Sequence, residues 1–161
     1  MTKRINVLYI SLTGNTKHFM GRLADYFATQ AIVLKAINVK ENPEPTTLTD
    51  PFVAFLPTFL KGGNGVDNGY TEILTNKLGT YLDFAQNYQH CYGIIGSGNR
   101  NFNKQFALTA KQYAERFGFP YLTDFELRGT KSDVPRIADI ILKQCTAFTA
   151  QEARTVNKNI E

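Results

Sequence analysis

The stretch Ser11-Leu12-Thr13-Gly14-Asn15-Thr16 gathers three hydroxyls, an amide and a glycine directly after the apolar run Ile5 to Ile10. An amphipathic helical pattern follows, so these residues sit where a buried strand hands over to a helix start. The first N–H groups of a helix are unpaired donors with partial positive charge, and together with hydroxyls they make a cradle for a phosphate. No lysine lies between residues 11 and 16. A P-loop requires Gly-x4-Gly-Lys-Ser/Thr and a dinucleotide turn requires Gly-x-Gly-x-x-Gly, and the stretch has neither. The same residues also suit an ordinary helix start, with Thr13 or Asn15 capping the first turn.

Two further stretches have complementary chemistry. Pro57-Thr58-Phe59-Leu60-Lys61-Gly62-Gly63-Asn64-Gly65-Val66-Asp67-Asn68-Gly69-Tyr70 carries four glycines in fourteen residues. Glycine accepts positive φ at little steric cost, so a peptide here can turn either its C=O or its N–H toward a ligand atom whose protonation changes, such as flavin N5. A surface loop with no ligand has a similar composition. Gly96-Ser97-Gly98-Asn99-Arg100-Asn101-Phe102-Asn103-Lys104 combines glycines, amides and one aromatic without a carboxylate. Its N–H groups and Asn side chains match the O2, N3 and O4 edge of an isoalloxazine, and Phe102 or Phe59 could cover a ring face. Phe102 equally suits a hydrophobic staple for the next helix. A phosphate cradle, a Gly-rich loop and a polar loop together fit FMN.

These loops need elements to bring them together. Residues 4–10 read as a first strand, and Phe19, Met20, Leu23 and Phe27 share one face of the helix that follows. Ala31 to Val39 is a weaker second strand, and Glu41-Asn42-Pro43-Glu44-Pro45 is a surface connection. Phe52 to Leu56 and Cys91 to Ile95 are short continuous apolar runs, as in strands buried on both faces of a sheet. Leu74, Leu78, Tyr81 and Leu82 form one helical stripe, and Phe106, Ala110, Tyr113, Ala114 and Phe117 form another, closed by Gly118 with Pro120 as a stop. Tyr121 to Leu127 is a fifth strand, and Ser132-Asp133 caps a last helix whose Ile137, Ile141, Cys145 and Phe148 face the core. The expected organisation is one domain over 1–149 and a frayed polar tail over 150–161. Five strands alternating with four helices predict an α/β fold, a flavodoxin-like doubly wound parallel sheet in the order 2-1-3-4-5 with helices on both faces. In such sheets the ligand lies beyond the carboxyl ends of the strands where their order reverses, between strands one and three.

Composition bounds the function. At 161 residues, 43% apolar and 20% charged, the chain has an ordinary globular composition. The opening Met1-Thr2-Lys3-Arg4 leads into a strand and not into a signal-peptide apolar segment, and no apolar run is long enough to span a membrane, so a cytoplasmic protein is expected. Cys91 and Cys145 have neither Cys-x-x-Cys spacing nor a His at metal spacing, and read as packed thiols; His18 and His90 are isolated, and no metal site is expected. The net charge of +4 is compatible with nucleic acid, an acidic membrane or an acidic protein partner, and because it is spread along the chain without a basic run or stripe, nucleic acid is the weaker option.

Ser-x-Thr-Gly-Asn-Thr resembles the phosphate loop of flavodoxins. Gly-Ser-Gly-Asn-Arg-Asn-Phe at 96–102 and Phe-Glu-Leu-Arg-Gly-Thr-Lys-Ser-Asp at 125–133 resemble the NrdI proteins, the flavodoxin-like partners of class Ib ribonucleotide reductase, and the likeness runs from about residue 5 to about residue 145. The resemblance implies an FMN protein, supplied with electrons by a reductant, that works with the manganese-bearing small subunit of the reductase. In that family the reduced flavin reacts with O2, and the oxidant, taken to be superoxide, reaches the dimanganese site where a tyrosyl radical is made. Loops and resemblance together give the expected cofactor-binding set. Ser11, Leu12, Thr13, Gly14, Asn15 and Thr16 lie at the phosphate; Pro57, Thr58, Phe59, Gly62 and Gly63 lie beside the ring; Ser97, Gly98, Asn99, Asn101 and Phe102 lie at its other edge. The flavin carries the chemistry, and no acid–base pair or nucleophile is evident. Lys61, Arg100 and Lys104 are the charges expected nearest the ring, where they would favour an anionic reduced flavin and give less separated one-electron potentials than a typical flavodoxin has. A conventional flavodoxin electron carrier is the alternative. A receiver-like fold without cofactor lacks the acidic cluster after strand one that its metal site would need.

Overall fold

The computed structural model describes residues 3–11, 14–58, 60–61, 71–72, 75–98 and 108–160, with backbone alone at 60–61, 71–72 and 153–160. Apolar strands and amphipathic helices alternate as β1 (Lys3–Tyr9), α1 (Asn15–Thr29), β2 (Ile32–Asn38), β3 (Phe52–Pro57), β4 (Leu60–Lys61), β5 (Thr71–Glu72), α2 (Asn76–Asp83), β6 (Cys91–Gly98), α3 (Leu108–Phe117), β7 (Tyr121–Glu126) and α4 (Asp133–Ile160). A 3-10 segment, Phe84–His90, precedes β6. Five strands form one sheet in the order β2-β1-β3-β6-β7, and each of its ladders is parallel. Counting only these strands, the order is the expected 2-1-3-4-5.

The strand period of two sorts the side chains of β1 into two cores. Val7 and Tyr9 pack with Phe19, Leu23 and Phe27 of α1 and with Ile137 and Ile141 of α4. Leu8, and Ile10 just past the strand, pack on the opposite face with Leu78, Tyr81 and Leu82 of α2 and with Ala110 and Tyr113 of α3. Covered on both faces, β3 is buried at every position and β6 from Cys91 to Ser97. Each fully buried large apolar side chain contributes about 1.5–3 kcal/mol, so these layers fix the sheet to which the loops are attached. Of the expected helical stripes, Leu74 and Phe106 lie outside the described residues. Gly118 closes α3 as expected, its N–H on the Ala114 carbonyl at 2.9 Å.

Three features differ from the expectation. A short antiparallel ladder joins β4 to β5, Leu60 pairing with Glu72 and Lys61 with Thr71, and satisfies backbone groups of both segments. The cap of α4 is Thr130 and not Ser132: Thr130 N–H donates to Asp133 Oδ2 at 2.8 Å, and Asp133 N–H donates to Thr130 Oγ1 at 3.3 Å. That reciprocal pair is a capping box. The backbone of α4 also continues to Ile160 where a frayed tail was expected from 150. The apolar period stops there, but Ala, Gln, Glu, Arg and Lys are good helix formers and no Gly or Pro intervenes.

Candidate functional site

Register brings the starts of the three candidate loops to one level of the sheet. Tyr9 pairs with Phe55, so two residues further on Ser11 is level with Pro57, and Pro57 in turn pairs with Ser97. Thr58 N–H donates to the Ser97 carbonyl at 3.0 Å, carrying the β3–β6 pairing one residue past β3. Thr109 N–H donates to Thr58 Oγ1 at 3.4 Å, tying the start of α3 to the same edge. This edge is the carboxyl side of the sheet at the β1/β3 switch point, where doubly wound sheets bind ligands.

The first turn of α1 begins at a glycine with no side-chain cap. Ser11 is buried, and its Oγ accepts the Lys17 N–H at 3.1 Å. Gly14 is the N-cap in a left-handed conformation, φ +91°, and no side chain caps the helix there. A residue with a Cβ is strained at that φ, so glycine is what lets the chain turn into α1. Asn15 does not cap; its Oδ1 accepts Arg128 Nε at 3.3 Å. Thr16 is buried beside it. The N–H groups of Asn15 and Thr16 therefore have no acceptor among the described residues. At the start of α3 Thr109 Oγ1 is buried and likewise unpartnered among the described residues. A buried polar atom left unpaired costs about 1–3 kcal/mol, and a ligand with acceptor oxygens offsets such costs. With hydroxyls and N–H donors and no carboxylate among Ser11, Gly14, Asn15 and Thr16, the chemistry of the cradle fits a phosphate group.

Of the expected site residues, Ser11, Gly14, Asn15, Thr16, Pro57, Thr58, Ser97 and Gly98 come together at this edge. Leu12, Thr13, Phe59, Gly62, Gly63, Asn99, Asn101 and Phe102 lie outside the described residues, as do Arg100, Lys104 and the Lys61 side chain. The Gly98 carbonyl is engaged by Leu127 N–H at 2.9 Å, so it is a tie to the loop after β7.

That loop, absent from the candidate set, is tied to the same edge. Arg22 of α1 donates through Nη1 to the carbonyls of Arg128, at 2.9 Å, and Gly129, at 3.1 Å. Gly129 has φ +77°, and a Cβ there would stand 2.8 Å from Phe19 Cδ2. The loop thus lies directly on α1. Its signal in the sequence was a glycine followed by Thr-x-x-Asp, a turn running into a capping box.

Among the nearby charges, Lys17 Nζ is 2.7 Å from Glu41 Oε1, and that hydrogen bond raises the lysine's pKa. Burial raises the pKa of Tyr9, Glu41 adds to the effect and Lys17 opposes it.

A family model for NrdI flavodoxin-like proteins matches residues 7–139. An NrdI-like protein of Streptococcus pyogenes serotype M18 is 54% identical over 145 residues, covering 89% of this chain and 95% of that protein. Protein NrdI of Bartonella tribocorum is 34% identical over 129 residues, covering 80% of this chain and 86% of its own. Among solved structures, a flavodoxin from the domain Archaea superposes with a TM-score of 0.54 at 11% identity, covering 89% of this chain and 97% of its own. Oxidised flavodoxin 1 of Bacillus cereus gives 0.52 at 12% identity, covering 88% and 98%. At such identities the structural likeness speaks for the fold alone. The sequence relatives and the family model reach further, and the chain belongs to the NrdI family of flavodoxin-like proteins.

Proposed function

We propose that the protein binds FMN at the carboxyl edge of β1, β3 and β6 and serves in the cytoplasm as activator of a class Ib ribonucleotide reductase, acting on its manganese-bearing small subunit. The observation that carries this reading is the common level of Ser11, Pro57 and Ser97, which sets the α1 start, with no side-chain cap at Gly14, beside the points where β3 and β6 end, in a chain of this family. FMN, when bound, supplies the electrons that convert O2 to an oxidant, superoxide, for tyrosyl-radical assembly in the partner, and a separate reductant replenishes them. The chain binds and orients. Gly14 and the first-turn N–H groups of α1 hold the phosphate, and Thr16 lines its cradle. Thr58 and Ser97 fix the spacing of the loops that flank the ring, because one hydrogen bond joins their backbones.

The test loads the chain with FMN, reduces it without oxygen, adds the manganese-loaded small subunit and then admits O2. A tyrosyl-radical signal in electron paramagnetic resonance that depends on this chain is expected. The flavodoxin fold of the structural neighbours favours a second reading, a single-electron carrier. Efficient electron delivery to an acceptor protein, with no radical in the small subunit, would favour that reading instead.

A further inference from the structure

We infer that Arg128 is a phosphate-binding residue of the cofactor site, reaching it from the loop after β7; the inference rests on the FMN reading above. The cradle at 11–16 has no cation of its own. Lys17, next in the chain, is held by Glu41 at 2.7 Å, and Arg22 directs its Nη1 at two loop carbonyls. Arg128 is exposed, its Nε is anchored on Asn15 at the first position of α1, and its two terminal guanidinium nitrogens have no hydrogen-bond partner among the described residues.

The anchoring comes from three sides. Arg22 grips the Arg128 carbonyl, Gly129 abuts Phe19, and Thr130 is fixed by the capping box with Asp133. Phe19 itself is fully buried and stacked on Phe125 with ring centroids 4.2 Å apart. A guanidinium held against a helix N-terminus sets positive charge beside positive partial charge, which is unfavourable until an anion joins the two. A phosphate does so, taking N–H donors from α1 and charge-assisted hydrogen bonds from the arginine.

The experiment compares FMN with riboflavin, which lacks the phosphate, by flavin fluorescence titration of the full chain. In the parent, FMN binds more tightly than riboflavin. In Arg128→Met the FMN affinity falls about tenfold while riboflavin affinity stays the same, as for loss of one hydrogen bond to a charged group at an exposed site. Arg128→Lys recovers part of the loss, since the charge remains without the fork geometry. A thermal melt of the flavin-free Arg128→Met variant that matches the parent shows that the fold is intact. Unchanged FMN affinity in Arg128→Met, or equal loss for FMN and riboflavin, overturns the role of Arg128 and leaves the FMN reading standing. A parent that binds neither flavin overturns both.

Discussion

Gly14 holds its backbone at φ +91° with open space where a Cβ would stand, so a substitution there brings backbone strain without a steric clash. Gly14→Ala is expected to lower stability by about 1 kcal/mol, read from denaturant unfolding, and to weaken FMN binding as the first turn of α1 shifts. Cys91 makes a pH prediction. Burial pushes its thiol up from 9.0 to about 12, partly offset by backbone groups of Gly93 and Ala54. The unfolded chain releases this proton from about pH 9 while the folded chain retains it, so the unfolded state gains and stability falls as pH rises from about 9 toward 12. Urea unfolding at about pH 8 and pH 10.5 should show a larger loss in the parent than in Cys91→Ala, which has no thiol to ionise. That Cys91 is a packed thiol was legible from its apolar run and from the lack of a ligand partner. Asn15 was less legible: its residue type allows capping, but Gly14 takes the cap position and Arg128 takes the amide oxygen.

At the scale of elements, α4 depends on its capping box. Asp133 has its pKa lowered: burial alone would raise it, and the Thr130 N–H with the Arg136 guanidinium outweighs that cost. A carboxyl depressed by folding adds stability above its ordinary value of 3.8, and the gain is lost as pH falls through the lower folded value. Asp133→Asn should therefore cost about 1 kcal/mol near neutral pH, and the difference from the parent should vanish in strong acid; chemical denaturation at the two pH values checks both. The sequence pointed to Ser132 as the cap, and the turn geometry gives that place to Thr130. The helical stripes were readable because the period of 3.6 is local. The β4–β5 ladder was not, since two-residue strands have no period to detect.

At the scale of the molecule, a net charge of +4 favours an acidic partner face. Raising salt from about 50 to about 500 mM shortens the Debye length several-fold and should weaken binding to the proposed partner, the reductase small subunit, chiefly by slowing association, as surface plasmon resonance would measure. Salt-independent binding would argue against an electrostatic interface. The sequence by itself determined the alternation of strands and helices, the faces those helices bury and the identity of the loops, because periodicity, glycine placement and motif spacing all act over a few residues. Connection rules limit the sheet order to a few possibilities, and the strand pairing itself selects β2-β1-β3-β6-β7. Tertiary structure alone decided that Ser11, Pro57 and Ser97 share a level, because register is a property of paired strands. It also decided that Arg128 meets Asn15 across 113 positions of sequence. That meeting results from α1 and α4 packing on the same face, with Phe19 stacked on Phe125 and Gly129 leaving room for the ring. No local pattern encodes it, since it exists only once the buried layers have set the distance between the two loops.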